Sequence, residues 1–490
     1  MIKNTWLLTA CLLITASVSA NVTLPAFFGS GMVLQRDQPV CIWGWADKGE
    51  KVTVQFKSQK QSVKTGSDGK WMVKLKPEQA GGPFVLTVTG KNNITYDNVM
   101  MGDVWICSGQ SNMEWHVKDA TKGAEEIKAA DYPQIREFTV KRTVAKEPQD
   151  NVAEAAWVPA TPEHVGNFSA VSYFFGRELY KELQVPIGLI HTSWGGTQVE
   201  AWISRKGFLG SETFRAMMSE PLGIDSITGP NGYPACLFNA MIHPLLSYGI
   251  KGAIWYQGES NAGRAYQYRQ SFPLMITDWR NQWKQGDFPF YFVQLASYDP
   301  TRGKGEGNSN NGSNWAELRE AQAMTLSLPH TGMAVTTDIG ERNDIHPRNK
   351  QDVGKRLALN VLKNVYAKPV VPAGPAYKSM DISGNKALIS FTDPGSGLVV
   401  KDRYGYLKGF EVAGADQRFY YAKAAIVNGK VEVYSEQVTT PVAVRYNWAD
   451  DAADGNLFNK EGLPAAPFRT DQWKGVTENV VYQLPKAGNR

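Results

Sequence analysis

The sequence is poor in cysteine, in histidine and in net charge. Four cysteines in 490 residues are too few for a disulfide-stapled scaffold, and their spacings are too wide for a zinc knuckle. Six histidines form no His-Glu-x-x-His pattern and no Cys/His cluster, so neither a metal nor a cofactor is expected. A formal charge of +5 is dilute over this length. No basic run or stripe offers a nucleic-acid surface, so no nucleic-acid partner is expected. After residue 20 no apolar run approaches the ~20 residues that cross a bilayer, and no membrane span is expected. Glycine keeps no collagen-like period, and no repeat recurs. What is present is an ordinary globular mixture, 42% hydrophobic and 20% charged, long enough for about two to four domains.

Residues 1–20 read as a signal peptide, with Lys3 as the positive n-region, Trp6 to Val18 as the apolar core and Val18-Ser19-Ala20 as the cleavage site. Leu8-Thr9-Ala10-Cys11 has the look of an acylation box, but it leaves almost no apolar core before the cysteine. Cleavage near Ala20 predicts an exported protein, periplasmic or secreted. It also leaves Cys41, Cys107 and Cys236, an odd number best met by buried thiols with at most one bridge.

From 21 to 99 the text alternates apolar and polar residues, as in Pro39–Trp45, Lys51–Phe56, Trp71–Leu75 and Phe84–Thr89. Turn signals such as Asp68-Gly69 separate these runs, which predicts a small antiparallel β-sandwich. From 100 to 367 the grammar changes. Continuous apolar runs (Val104–Cys107, Ile135–Val140, Ile187–His191, Ile250–Tyr256, Phe290–Leu295, Met333–Thr337) alternate with helical stretches at Ala170–Leu183, Arg264–Trp283, Trp315–Leu328 and Lys350–Ala367. That alternation predicts an α/β domain with a doubly wound parallel sheet, its ligand site beyond the carboxyl ends of the strands. Residues 368–377, with Pro369, Pro372 and Pro375, read as a stiff linker. From 378 to 490 β patterning returns, with Asn428-Gly429 as a hairpin turn, and predicts a second sandwich. The Gly/Asn/Ser-rich stretch Asp299–Asn314 reads equally as a loop over the site and as a plain surface loop.

Four strand ends carry more polarity than turns require. Val104 to Glu114 runs from a strand through Cys107-Ser108-Gly109-Gln110-Ser111 into a helix. Ser111 would there lie beside free backbone N–H groups that favour developing negative charge, although a serine at that position also serves as an ordinary cap. Gly195-Gly196 follows the strand ending at His191 and allows close backbone approach to an oxyanion. Gln257-Gly258-Glu259-Ser260-Asn261 ends a third strand. In the last segment, Asp338 to Pro347, His346 lies two residues from Asp344, the arrangement of a general base with an orienting carboxylate.

Together these texts resemble the SGNH hydrolases and, more closely, the sialate O-acetylesterase family of carbohydrate esterases. The matching segments are Gly-Asp-Val-Trp-Ile-Cys-Ser-Gly-Gln-Ser-Asn-Met at 102–113, Gly-Gly-Thr at 195–197, Trp-Tyr-Gln-Gly-Glu-Ser-Asn at 255–261, Trp-Ala-Glu-Leu-Arg-Glu-Ala-Gln at 315–322 and Asp-Ile-His-Pro at 344–347. The resemblance implies an SGNH/flavodoxin-like sheet flanked by the two sandwiches. It implies Ser111 as nucleophile, His346 as base and an oxyanion hole of Ser111 N–H, Gly196 and the Gln257 side chain. The wider SGNH pattern places its acid three residues before the histidine, where this chain has Asn343. Asp344 is therefore the first choice for the acid, with Glu341 and Glu259 as alternatives; some relatives work as a Ser–His dyad.

The implied substrate is an O-acetylated sialic acid, with an acetylated xylan or other glycan as the competing reading. An exported glycan-binding protein without catalysis is the rival from another class. Arg319 and Arg264 are candidate partners for a sialic acid carboxylate, as well as ordinary helix-face residues. Trp115, Trp194, Trp202 and Trp255 are candidates for sugar stacking, and equally for core. His116 is either a pocket residue or a helix position.

Overall fold

The computed structural model describes residues 21–218, 233–299 and 309–483. The expected signal peptide and residues 300–308 of the Gly/Asn/Ser-rich stretch lie outside them. No helix among the described residues is long and apolar enough to cross a membrane.

The molecule is mixed α/β, with a central sheet and further β-sheets at either end. One strand organises it: Asn93–Gly109, 17 residues, of which 99 to 109 are buried throughout. Its first half pairs antiparallel with Gly81–Thr89, and its second half lies between Ile187–Ser193 and Gly252–Tyr256, parallel to both. The boundary expected between 99 and 100 thus falls inside a continuous strand, with no loop between the β region and the α/β region. From edge to edge the central sheet runs Thr331–Ala334, Phe290–Val293, Gly252–Tyr256, Asn93–Gly109, Ile187–Ser193, Tyr132–Thr139 and Trp157–Ala160. All neighbours are parallel except the last pair. After the long strand the chain builds first to one side and later to the other. The crevice at that reversal is where ligands bind in such sheets.

Period two explains why the central strand is apolar on both faces. Val104 and Ile106 enter one core with Trp255, Phe272, Trp279 and Leu318. Trp105 and Cys107 enter the opposite core with Phe174, Phe175, Leu179, Val353 and Leu357. Helices Ala170–Leu183 and Lys350–Asn364 cover the second face, and Ala265–Trp283 and Asn314–Met324 the first. Each such side chain fully withdrawn from water contributes roughly 1.5–3 kcal/mol. Cys41, Cys107 and Cys236 are unbridged thiols; burial pushes Cys236 up to about 12 and Cys107 well above its ordinary value.

Beyond residue 376 two four-stranded antiparallel sheets share a core that includes Ile389, Val412, Val431, Tyr446 and Phe468. Asn428 and Gly429, both at positive φ, close the hairpin between Lys423–Val427 and Lys430–Tyr434. The run expected as one strand over Phe419–Ile426 is divided. Phe419–Tyr421 pairs with Phe410–Ala413, whereas Lys423–Val427 joins the other sheet.

Candidate active site

Gly109 ends the central strand at φ +141°, and a Cβ there would stand 2.1 Å from the Tyr256 carbonyl oxygen. Only glycine lets the chain turn so close to its neighbour. Gln110 follows in extended conformation, and Ser111 opens the short helix Ser111–Glu114. The Oγ of Ser111 lies 2.8 Å from Nε2 of His346, across 235 residues of chain. Hydroxyl and imidazole are thus at hydrogen-bonding distance in the parts expected from the sequence, the geometry of a nucleophile and its base.

The glycine turn after Ile187–Ser193 packs directly on this serine. A Cβ on Gly195 would be 3.2 Å from Ser111 Cβ and 3.1 Å from Glu114 Oε2. Gly195 donates its N–H to Glu114 Oε2 at 2.7 Å. Gly196 is exposed, at φ +73°. Among the described residues the N–H groups of Ser111 and Gly196 have no acceptor. Unpaired backbone donors beside a nucleophile are what an oxyanion requires.

Asn112 fixes the loop that carries His346. Its Nδ2 donates to the Ile345 carbonyl at 2.9 Å and to Glu259 Oε1 at 2.6 Å, and its Oδ1 accepts from the buried Lys350 ammonium. Trp115 stacks on the imidazole, with centroids 5.2 Å apart and planes 18° from parallel. Burial lowers the His346 pKa below the usual imidazole value; Asp344 opposes that shift and Lys350 adds to it. Lys350 itself is pushed down to about 7, mainly by burial, against the pull of Glu259, Glu341 and Asp344. Burial raises the Glu259 carboxyl. Neither Asn112 nor Lys350 was singled out from sequence as functional. Asn112 stood inside the Gly-Gln-Ser-Asn text, while Lys350 reads as one more lysine at a helix start.

The carboxylates expected near His346 are used otherwise. Asp344 Oδ1 accepts the backbone N–H of His346 at 2.9 Å and stands 3.7 Å from Nδ1, outside hydrogen-bond range. Glu341 accepts the N–H of Arg348 at 2.8 Å. Glu259 is held by Asn112. Asp344→Asn is therefore expected to slow acetate release by about tenfold at most, against the ~10⁴ lost when a hydrogen-bonded triad acid is amidated. Steady-state kcat with a chromogenic acetate reads the difference, and a loss near ~10⁴ would restore Asp344 as the orienting acid.

Two other expectations are corrected. Gln257 is fully buried, and its Nε2 donates to the Thr197 carbonyl at 3.2 Å and to Asn261 Oδ1 at 2.7 Å, while Tyr268 holds its Oε1. With its donors so engaged it braces the glycine turn from behind instead of facing an oxyanion. The side-chain amide next to Ser111 is Gln110's, whose Oε1 accepts from the N–H groups of Gly258 and Ser260. Arg319, a candidate for a sugar carboxylate, is 0% exposed, and its guanidinium donates to the carbonyls of Leu295, Ala296, Ala449 and Asp450. Arg264 is likewise engaged, by Glu200, Gln198 and Gln267. Trp202 and Trp255 are core residues, crossing edge-on at 5.9 Å. His116 pairs loosely with Asp119 at 3.7 Å. Among the described residues no group of three His, Cys, Asp or Glu side chains is placed to hold a metal ion.

Comparison with known proteins gives the family. The family model for sialic acid-specific acetylesterases, a group of carbohydrate esterases, matches residues 101–363. A sialate O-acetylesterase of Pongo abelii is 33% identical over 96% of this chain and 97% of its own. That of Homo sapiens is also 33% identical, with the same coverage. The crystal structure of a carbohydrate acetylesterase from Xanthomonas citri superposes with a TM-score of 0.85 at 41% identity, covering 92% of this chain and all of that one. The chain is a carboxylic ester hydrolase and belongs to the sialic acid-specific acetylesterase family of carbohydrate esterases.

Proposed function

We propose that the protein removes O-acetyl groups from sialic acids by acyl transfer through Ser111, with His346 as general base. The observation that carries this reading is the 2.8 Å approach of Ser111 Oγ to His346 Nε2 in a sheet crevice beside the N–H groups of Ser111 and Gly196, which have no acceptor among the described residues. His346 takes the hydroxyl proton as the serine oxygen attacks the acetyl carbonyl. The two N–H groups receive the negative oxygen, each worth ~3–4 kcal/mol in comparable sites. The imidazolium then protonates the departing sugar oxygen. Water, deprotonated by the same imidazole, releases acetate from the acetyl-enzyme. Stacking on Trp115 and the Asn112 bond to Ile345 hold the imidazole in place without a hydrogen-bonded acid, which favours a dyad.

The corresponding fold reading is an SGNH/flavodoxin-like sheet. With the edge pair 132–139 and 157–160 set aside, the remaining five parallel strands run 2-1-3-4-5 in chain order, which supports it. Residues 1–20 would direct export to the periplasm or beyond.

Acetate release from a panel of O-acetylated sialic acids and acetylated xylan tests the substrate. Turnover confined to the xylan would replace sialic acid with a neutral glycan. The pH profile tests the base. Because His346 is shifted down, its neutral form persists below the usual value near ~6.5. Activity is retained there and is lost as pH falls through the lowered pKa. The acid limb of kcat/KM is expected on the acid side of ~6.5; a limb at 7 or above would contradict the assignment.

A further inference from the structure

Of three arginines near the strand ends, two are fully committed. Arg319 is satisfied by four carbonyls, and Arg264, with 12% of its side chain exposed, is gripped by Glu200 and two glutamines. The third is Arg142, which follows the strand Tyr132–Thr139 at the same carboxyl end of the sheet as Ser111 and Gly196. Its side chain is 55% exposed, and among the described residues its one ion pair is Nη1 to Glu114 Oε1 at 2.9 Å. Its guanidinium stands 5.7 Å over the ring of Trp194.

We propose that Arg142, set against Trp194 and Glu114 at the lip of the Ser111 cleft, receives the carboxylate of an anionic acetylated sugar. This rests on the sialic acid reading above and deepens it. The placement follows from a chain of contacts. Glu114 lies three residues after the nucleophile and gives one oxygen to Arg142 and the other to the Gly195 N–H. Gly195 in turn packs on Ser111, where an added Cβ would come within 3.2 Å of the serine Cβ. Arg142 is thus joined to the Ser111 turn through Glu114 and Gly195.

The chemistry fits a carboxylate. A guanidinium held at one nitrogen keeps its other N–H groups for a paired contact with a planar anion. The Glu114 carboxylate and the Trp194 face fix its plane beforehand, which limits the ordering cost on binding. Two neighbouring cationic groups are placed otherwise: the Lys350 ammonium is buried on Asn112, and burial lowers the pKa of His116. A neutral acetylated xylan has no group for Arg142 to bind, so this residue would separate the two substrate classes.

The test compares O-acetylated N-acetylneuraminic acid with its C-1 methyl ester, in wild type and in Arg142→Gln, with a neutral chromogenic acetate as reference. Wild type is expected to prefer the free acid by about ten- to hundredfold in kcat/KM, chiefly through KM. Arg142→Gln is expected to bring that ratio within about twofold of unity, and Arg142→Lys to recover part of it. Retention of the wild-type ratio in Arg142→Gln would overturn the Arg142 site and leave the sialic acid reading standing. So would a wild type that cleaves both sialates equally well. A wild type that hydrolyses the chromogenic acetate but neither sialate would overturn the underlying reading, and this site with it.

Discussion

Ser111→Ala is expected to lower kcat/KM for acetate release by ~10³-fold or more. The substitution removes the oxygen that attacks the carbonyl and leaves the Ser111 and Gly196 N–H groups in place. The residue of activity is what oxyanion binding and orientation alone supply. His346→Asn is expected to fall by a similar factor, because the hydroxyl without a base is a weak nucleophile near neutral pH. The double variant should be no slower than the slower single one, since the two groups act as a unit. Folding is not at stake. Ser111 Oγ has His346 Nε2 as its hydrogen-bond partner among the described residues, so the alanine variant should melt with wild type. Equal rates in wild type and Ser111→Ala would remove Ser111 from the chemistry whatever its distance from His346.

That pairing was legible in the sequence because each half sits in a short, specific text at a strand end. The helix Ala170–Leu183 was equally legible, since Ser169 caps it by accepting from the Ser172 N–H and an apolar face follows. What was not legible depends on partners from distant elements. The Gln257 amide looked available until Tyr268, Asn261 and the Thr197 carbonyl were seen to enclose it. Asn112 and Lys350 are 238 residues apart, and no local pattern links them. Arg142 lies beyond a strand in a segment with no motif, and only the fold brings it to Glu114. Alternation in Phe419–Ile426 marked extended chain correctly. Period two fixes which side chains share a face, not which neighbour each half will pair with.

Arg319→Met is expected to act on the fold and not on substrate recognition, with the largest stability loss of any single change considered. The wild-type guanidinium carries four hydrogen bonds in the interior, from Nε to Leu295 O at 2.8 Å, from Nη1 to Ala449 O at 2.6 Å, and from Nη2 to Ala296 O at 2.9 Å and Asp450 O at 2.8 Å. Two of these carbonyls follow the strand Phe290–Val293, and two belong to the segment after Ala443–Tyr446, so one side chain fastens the C-terminal sheets to the catalytic region. Methionine fills much of the same volume but leaves the Leu295 and Ala449 carbonyls without donors, while Ala296 O keeps Trp315 Nε1 and Asp450 O keeps the Tyr298 N–H. At ~1–3 kcal/mol for each of the two unsatisfied carbonyls, the loss should be about 2–6 kcal/mol. That is a large share of the ~5–15 kcal/mol that holds a typical domain folded. The variant is expected to accumulate mainly as insoluble protein, and any soluble fraction to be cut first by protease near 449–450. Arg319→Lys should recover little, since a single ammonium cannot span carbonyls on two segments. If Arg319 instead bound a sugar carboxylate, Arg319→Met would keep the wild-type melting temperature and show a raised KM for sialates alone. The complete burial of the side chain argues for the first outcome, and thermal melting beside KM decides between them.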